Sequence, residues 1–302
     1  MKFIVTGGSG FIGSHISRYL VKQNYEVIVI DDLRRGSLEN LNDIQDQINF
    51  QKINILNFEE MQKLAKNVDG IFHQAGLGSV PQSFKEPKEY DNVNAIGTQN
   101  ILKLAKQFNC KVVYASSSSV YGNQTKFPIS EDAKKNPLNP YGESKLHAEK
   151  FAEQYAQNGV EVIGLRYFNV FGIGQNPNYA GVIPRFIERL LEHKPPKIEG
   201  DGTQVRNFTY IDDIVRANWM AFTSSVDHAF LNIATGITTS VNDLAKMMIN
   251  LSGEKFEPEH VDSRAGDIKK SQADTSLAKK LIGWEPKFSL EEGLKEIFPK
   301  NL

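Results

Sequence analysis

Short apolar runs rich in Val and Ile alternate with helically patterned stretches through residues 1–167. KFIVTG precedes a helix from Phe11 to Lys22, EVIVID one near Phe58 to Lys66, DGIFHQAG one around Val93 to Phe108, and CKVVYASS one from Tyr141 to Asn158, before a last run, VEVIGLRY. Strands apolar on both faces, each followed by a helix, point to a parallel sheet covered on both sides by right-handed crossovers. The expected class is therefore α/β, doubly wound. Past Tyr167 the alternation weakens into NVFGIGQNPNYAG and HKPPKIEGDGT, broken by short helices such as VIPRFIERLLE. Such a segment suits a smaller lobe over the carboxyl ends of the strands, where open sheets bind ligands. The expected division is a sheet domain over 1–167, with segments near 205–235 returning to it, and a lobe formed mainly by 168–302.

The first strand runs straight into GGSGFIG, residues 7–13. With a strand before it and a helix after it, this is a dinucleotide-binding turn of the Rossmann-like kind. Gly7 permits the tight turn, Gly10 lets backbone approach a pyrophosphate, and Gly13 lets the helix pack on the sheet with its first amides facing the phosphates. Asp31, ending the next strand, can accept from an adenosine ribose and would repel a 2′-phosphate. That favours NAD over NADP, although Arg34 and Arg35 follow closely.

Composition narrows the class further. The 302 residues are 40% hydrophobic and 24% charged with a formal net charge of −1, lacking both the apolar poverty of disorder and the basic excess of a nucleic-acid binder. No nucleic-acid partner is expected. No apolar run approaches the ~18 residues of a membrane span, and MKFIVTGG is too soon broken by glycine for a signal peptide, so no membrane partner and a cytoplasmic location are expected. The single cysteine, Cys110, excludes an internal disulfide, and the six histidines show no ligand spacing, so no metal site is expected.

Two further stretches carry chemistry. YGESK places Tyr141 and Lys145 four apart, on one face of a helix. A phenol with an ordinary pKa of about 10 is a poor base, but an adjacent ammonium together with an oxidised nicotinamide would favour the phenolate. YASSSSVYG offers hydroxyls where a strand ends and a substrate oxygen could sit.

Taken in order, TGGSGFIG, SSSSVYG, PYGESK and RYFNVFG, with the later VRNFTYIDD and RAGDIKKSQAD, resemble the extended short-chain dehydrogenase/reductases, in particular the nucleotide-sugar 4-epimerases. The resemblance covers nearly the whole chain. It implies a catalytic triad of Ser117, Tyr141 and Lys145, and a cofactor site of Gly7, Gly10, Phe11, Ile12, Gly13, Asp31, Asp32, Asn54, Ile55, Gln74, Ala75, Gly76, Asn94, Tyr141, Lys145 and Tyr167. For the substrate, a UDP-sugar, it implies Ser79, Ser117, Asn169, Val182, Lys197, Arg206, Arg264, Asp267 and Ser271. Relatives that dehydrate or decarboxylate nucleotide sugars carry acidic residues after the catalytic hydroxyl, where this chain has Ser118 and Ser119. Without that carboxyl group, elimination lacks a proton carrier. The expected reaction is NAD-dependent 4-epimerisation of UDP-glucose and UDP-galactose through a 4-keto sugar. At Ser271 relatives restricted to hexoses carry a bulky aromatic, so a serine there implies that UDP-GlcNAc and UDP-GalNAc are accepted too. The alternatives are a UDP-glucuronate 4-epimerase, a dehydratase or decarboxylase, and a protein keeping NAD only as a sensor. A homodimer through the helices at Val93 to Phe108 and Tyr141 to Asn158 is implied as well. The chain departs from the family pattern at Asn54 and Asn207, where carboxylates are usual, and at Gln74 and Gly78.

Overall fold

Strands buried on both faces alternate with helices buried along one, seen in a computed structural model that describes residues 1–176, 181–263 and 269–298. The strands are β1 (Lys2–Thr6), β2 (Glu26–Ile30), β3 (Asn49–Gln51), β4 (Gly70–His73), β5 (Lys111–Ser117), β6 (Val162–Tyr167), β7 (Asn169–Phe171), β8 (Lys197–Glu199), β9 (Val205–Arg206), β10 (Phe208–Tyr210), β11 (His228–Ile233), β12 (Thr239–Ser240) and β13 (Glu259–Val261). The helices are α1 (Phe11–Lys22), α2 (Phe58–Leu64), α3 (Val80–Lys85), α4 (Pro87–Asp91), α5 (Gly97–Phe108), α6 (Pro140–Ala156), α7 (Val182–Leu191), α8 (Ile211–Thr223), α9 (Val241–Ser252), α10 (Ser276–Ile282) and α11 (Leu290–Ile297).

Seven strands form one parallel sheet in the order β11-β6-β5-β4-β1-β2-β3. Alternate residues of each strand enter opposite cores. Phe3, Val5, Val29, Val113, Ile163 and Leu165 meet α1 and α8 on one face. Ile4, Ile28, Ile30, Ile71, Val112 and Val162 meet α2, α5 and α6 on the other. The doubly wound reading is borne out. One strand escapes it: β3, NFQ, is three exposed or half-exposed residues, too short to carry a pattern. With α8, β11 closes the sheet edge beside β6. The strand order reverses between β1 and β4, so their carboxyl ends, Thr6 and His73, flank the crevice where such sheets bind ligands.

The later chain builds small sheets over this crevice. β7 pairs with β10 and β8 with β13 in parallel, and β9 with β12 antiparallel. HKPPKIEGDGT, read as a loop, contains β8. The helix expected from Val93 is preceded by a π-helical turn, Asn92–Ile96, which turns Asn94 inward. Such turns often mark functional sites.

Candidate active site

The turn after β1 is built around glycines that no other residue could replace without movement. Gly7 has φ +65, and a Cβ there would lie 2.6 Å from the Ala75 amide nitrogen. A Cβ on Gly13 would lie 2.1 Å from the Gly7 carbonyl, so α1 reaches the sheet only as glycine at that point. α1 begins behind Gly10 with no side-chain cap and no acidic residue in its first turn. The amides of Phe11, Ile12 and Gly13 are thus left for an anion.

Asp31 is buried, its carboxylate accepting from the amides of Ser9 at 3.1 Å and Leu33 at 2.8 Å. Asp32 accepts from the Asn54 amide group at 3.0 Å. An aspartate at 54 would face Asp32 with a second negative charge, so the Asn54 departure suits its neighbour. Arg34 does not point into solvent alone: it pairs with Glu89 and lies 3.9 Å from Asp32.

Three concavities run end to end. A small one of about 70 Å³ is lined by Asp31, Asp32, Ile53, Asn54, Ile55, Ala75 and the Gly7 turn. It shares Gly7, Arg35, Gly36, Gly76 and Leu77 with a cleft of about 700 Å³ that also takes in Gly10, Phe11, Ile12, Gly13, Gln74, Ser117, Tyr141, Lys145 and Tyr167. That cleft in turn shares Val170 and Gln175 with a lobe pocket of about 220 Å³ that includes Asn169, Val182, Lys197 and Arg206. A dinucleotide fits the first two: capless amides for its phosphates, carboxylates beside the adenosine end, and a glycine floor that a Cβ would fill.

Local chemistry places Tyr141 and Lys145. Asn139 caps α6 by accepting from the Gly142 amide at 2.9 Å, with Pro140 at the first helical position. A Cβ on Gly142 would lie 2.6 Å from the Ser119 carbonyl, so the first turn of α6 presses on the loop after β5. Tyr141 thereby stands in the same cleft as Ser117, whose hydroxyl accepts from the Ser119 amide at 3.1 Å. The Lys145 ammonium donates to the Ala115 carbonyl at 2.9 Å. Asn94 accepts from the Leu77 amide at 2.8 Å and donates to Ser144 at 2.9 Å.

Burial pushes the Tyr141 phenol above its ordinary pKa, opposed by the Ser117 hydroxyl. Burial draws Lys145 itself down to about 8, against which the Glu149 carboxylate works.

Other expected residues divide. Neither Ser79 nor Ser271 is among the described residues lining these concavities. The Ser79 hydroxyl caps α3, and the Ser271 amide donates to the Val205 carbonyl at 3.2 Å, beside Arg206. Arg264 and Asp267 lie outside the described residues. Asn207 is fully buried, donating to the Ile237 carbonyl and accepting from the Ala273 amide at 2.8 Å. An amide satisfies both partners where a carboxylate could not donate. Gln74 joins a ring with Asn218, to which it donates at 3.1 Å, and Tyr167, from which it accepts at 3.3 Å. The motif reading missed Asn40 and Gln175 of the cleft; Asn40 lies in a single 3-10 turn, Leu38–Leu41, and Gln175 in a loop, with no spacing to betray them.

Residues 3–234 match the family described as the NAD dependent epimerase/dehydratase family. A UDP-glucose 4-epimerase of Thermotoga maritima, solved with UDP-glucose, is 39% identical and superposes with a TM-score of 0.94 over 98% of this chain and 97% of its own. A UDP-N-acetylglucosamine 4-epimerase of Methanobrevibacter ruminantium, solved with UDP-N-acetylmuramic acid, is 36% identical with a TM-score of 0.94, covering 98% and 96%. A UDP-glucuronate 4-epimerase of Thermodesulfobacterium geofontis is 36% identical over 97% of this chain and 94% of its own length. On this match, and on a glycine turn and cleft fitted to the dinucleotide, the chain belongs to the NAD dependent epimerase/dehydratase family.

Proposed function

We propose that this protein interconverts the 4-epimers of UDP-hexoses, UDP-glucose with UDP-galactose and also UDP-GlcNAc with UDP-GalNAc. One observation carries the reading: Ser117 and Tyr141 stand in one cleft that runs from the glycine turn at one end into the lobe pocket at the other. When bound, NAD supplies the acceptor, and then the donor, of the C4 hydride. Gly7, Gly10, Phe11, Ile12, Gly13, Asp31, Asp32, Asn54, Ile55, Gln74, Ala75, Gly76, Asn94, Lys145 and Tyr167 would hold it. Tyr141 takes the proton of the sugar 4-hydroxyl, and Ser117 donates a hydrogen bond to the same oxygen. Asn169, Val182, Lys197 and Arg206 grip the UDP portion, Arg206 offering a guanidinium suited to phosphate. The sugar is then free to turn about its diphosphate link and present its other face, and Tyr141 returns the proton. Ser118 and Ser119 supply no carboxyl group for elimination, which favours epimerisation over dehydration.

The acetamido sugars rest on the small volume at Ser271. A Ser271→Tyr enzyme should keep hexose turnover and lose turnover of UDP-GlcNAc, read as separate kcat/KM values by chromatography of the nucleotide sugars; equal activity on both would remove the acetamido part. Turnover of UDP-glucuronate alone by the unaltered enzyme would replace the hexose reading with the uronate one. A homodimer through α5 and α6 belongs to the same reading, supported by the half-buried Leu146, Phe151 and Tyr155 along α6.

A further inference from the structure

Beneath Lys145 and Ser117 lies a buried ion pair that the proposed reaction does not use. Glu149 follows Lys145 by one turn and Tyr141 by two, on the same face of α6. Glu149 and Arg166 of β6 are each 1% exposed. The guanidinium grips the carboxylate with both prongs, Nε to Oε1 and Nη2 to Oε2, each at 2.8 Å. Its Nη1 donates to the Tyr121 hydroxyl at 2.8 Å and the Glu131 carbonyl at 3.0 Å, and its carbon lies 5.1 Å and 5.0 Å from the ring centres of Tyr121 and Phe230. Ser116, paired with Arg166 across the strands and next to Ser117, donates its hydroxyl to Glu149 Oε1 at 2.6 Å. A buried pair of this kind adds little net stability over apolar residues of equal volume. What it does provide is a fixed position and a fixed charge.

We propose that Glu149 is a positioning residue of the reaction: through Ser116 it fixes the strand end that carries Ser117, and from one helical turn away it keeps the Lys145 side chain an ammonium. This rests on the reading of Tyr141 and Lys145 as the proton-handling pair. Glu153 of α6 and Glu131 also face this cluster, acting on Tyr114 and on Tyr121 and Arg166, whereas Glu149 is the carboxylate that acts on Lys145. β4 presents His73, which burial drives down to about 3 and so keeps neutral. β5 presents Tyr114, which burial raises and keeps neutral. β6 presents Arg166 and the neutral Tyr167, α4 presents the Tyr90 phenol, and α6 itself presents Tyr141. Against the burial that draws Lys145 down to about 8, Glu149 is the charge that acts to raise it.

The test is a paired titration of the wild type and Glu149→Gln. The Lys145 ε-carbon is followed by NMR in 13C-lysine-labelled protein, its resonance identified by loss in Lys145→Met, and kcat for epimerisation is measured across pH. In Glu149→Gln the Lys145 midpoint should fall by about one pH unit or more. The alkaline limb of kcat should move down with it, part of the lost rate returning at lower pH. An unmoved midpoint, or a rate lowered equally at every pH, would overturn the proposal. Because Glu149→Gln strands the Arg166 charge and could unfold the protein, Glu149→Gln/Arg166→Met serves as the second variant. A downward shift is expected there too, smaller because the stranded Arg166 charge is gone with its partner, and its absence is equally fatal. A wild type that turns over a UDP-sugar with no limb near its own Lys145 midpoint would refute the proton-handling reading instead, and the NMR midpoints alone would then judge Glu149.

Discussion

Tyr141 is poised but not yet ionised. Burial raises its phenol, the Ser117 hydroxyl draws it back, and its ring stands edge-on to Tyr90 with centroids 6.4 Å apart. Tyr141→Phe should therefore lower kcat by about 10²–10⁴ while leaving bound NAD unchanged, measured as turnover per mole of nucleotide released on heating. A loss below about tenfold would show that the phenol is not the proton carrier. Lys145 sets the pH limit. Its ammonium is present below about 8 and lost above, so kcat should fall as pH rises through that value. The spacing of Tyr141 and Lys145 was legible in the sequence because i and i+4 share a helix face. The direction of the phenol shift was not, because it comes first from burial of the ring in the folded chain, which no local pattern encodes.

Among elements, the turn from β1 into α1 is the most constrained and was the most legible. Its glycines answer to steric demands that spacing records. Gly13→Ala puts a methyl group against the Gly7 carbonyl, and a forced fit of this kind costs about 1–3 kcal/mol. The purified variant should melt at a lower temperature and carry less NAD, by thermal unfolding and by chromatography of the released nucleotide. A variant with wild-type melting and full NAD would contradict the packing described for α1. The elements that escaped the sequence reading did so for identifiable reasons. β3 is short and half-exposed, so no apolar run announces it. The π turn at Asn92–Ile96 shares its residues with an otherwise ordinary helical pattern, yet it is what brings Asn94 to Leu77 and Ser144.

At the scale of the molecule, the crevice of the sheet, where Ser117 and Tyr141 stand, runs into the pocket built by the later chain. The sheet was readable because both its faces are buried. The later chain showed in the sequence only as a weakened alternation, because its strands are two or three residues long and draw their partners from distant segments: β13 for β8, β12 for β9. The departures at Asn54 and Asn207 looked like losses in the sequence and are satisfied hydrogen bonds in the fold, to Asp32 in one case and to Ile237 and Ala273 in the other. What the assembled site is proposed to do is invert C4 by removing a hydride and returning the same one, with only the hydroxyl proton passing through Tyr141. The most direct measurement is proton NMR of UDP-glucose and UDP-GlcNAc turned over in D₂O by the purified protein with no NAD added. The account predicts that both substrates give their 4-epimers, with ordinary hydrogen retained at C4 and no deuterium at neighbouring carbons. Deuterium at the inverted carbon or at C5, or a product that has lost water or carbon dioxide, would contradict it.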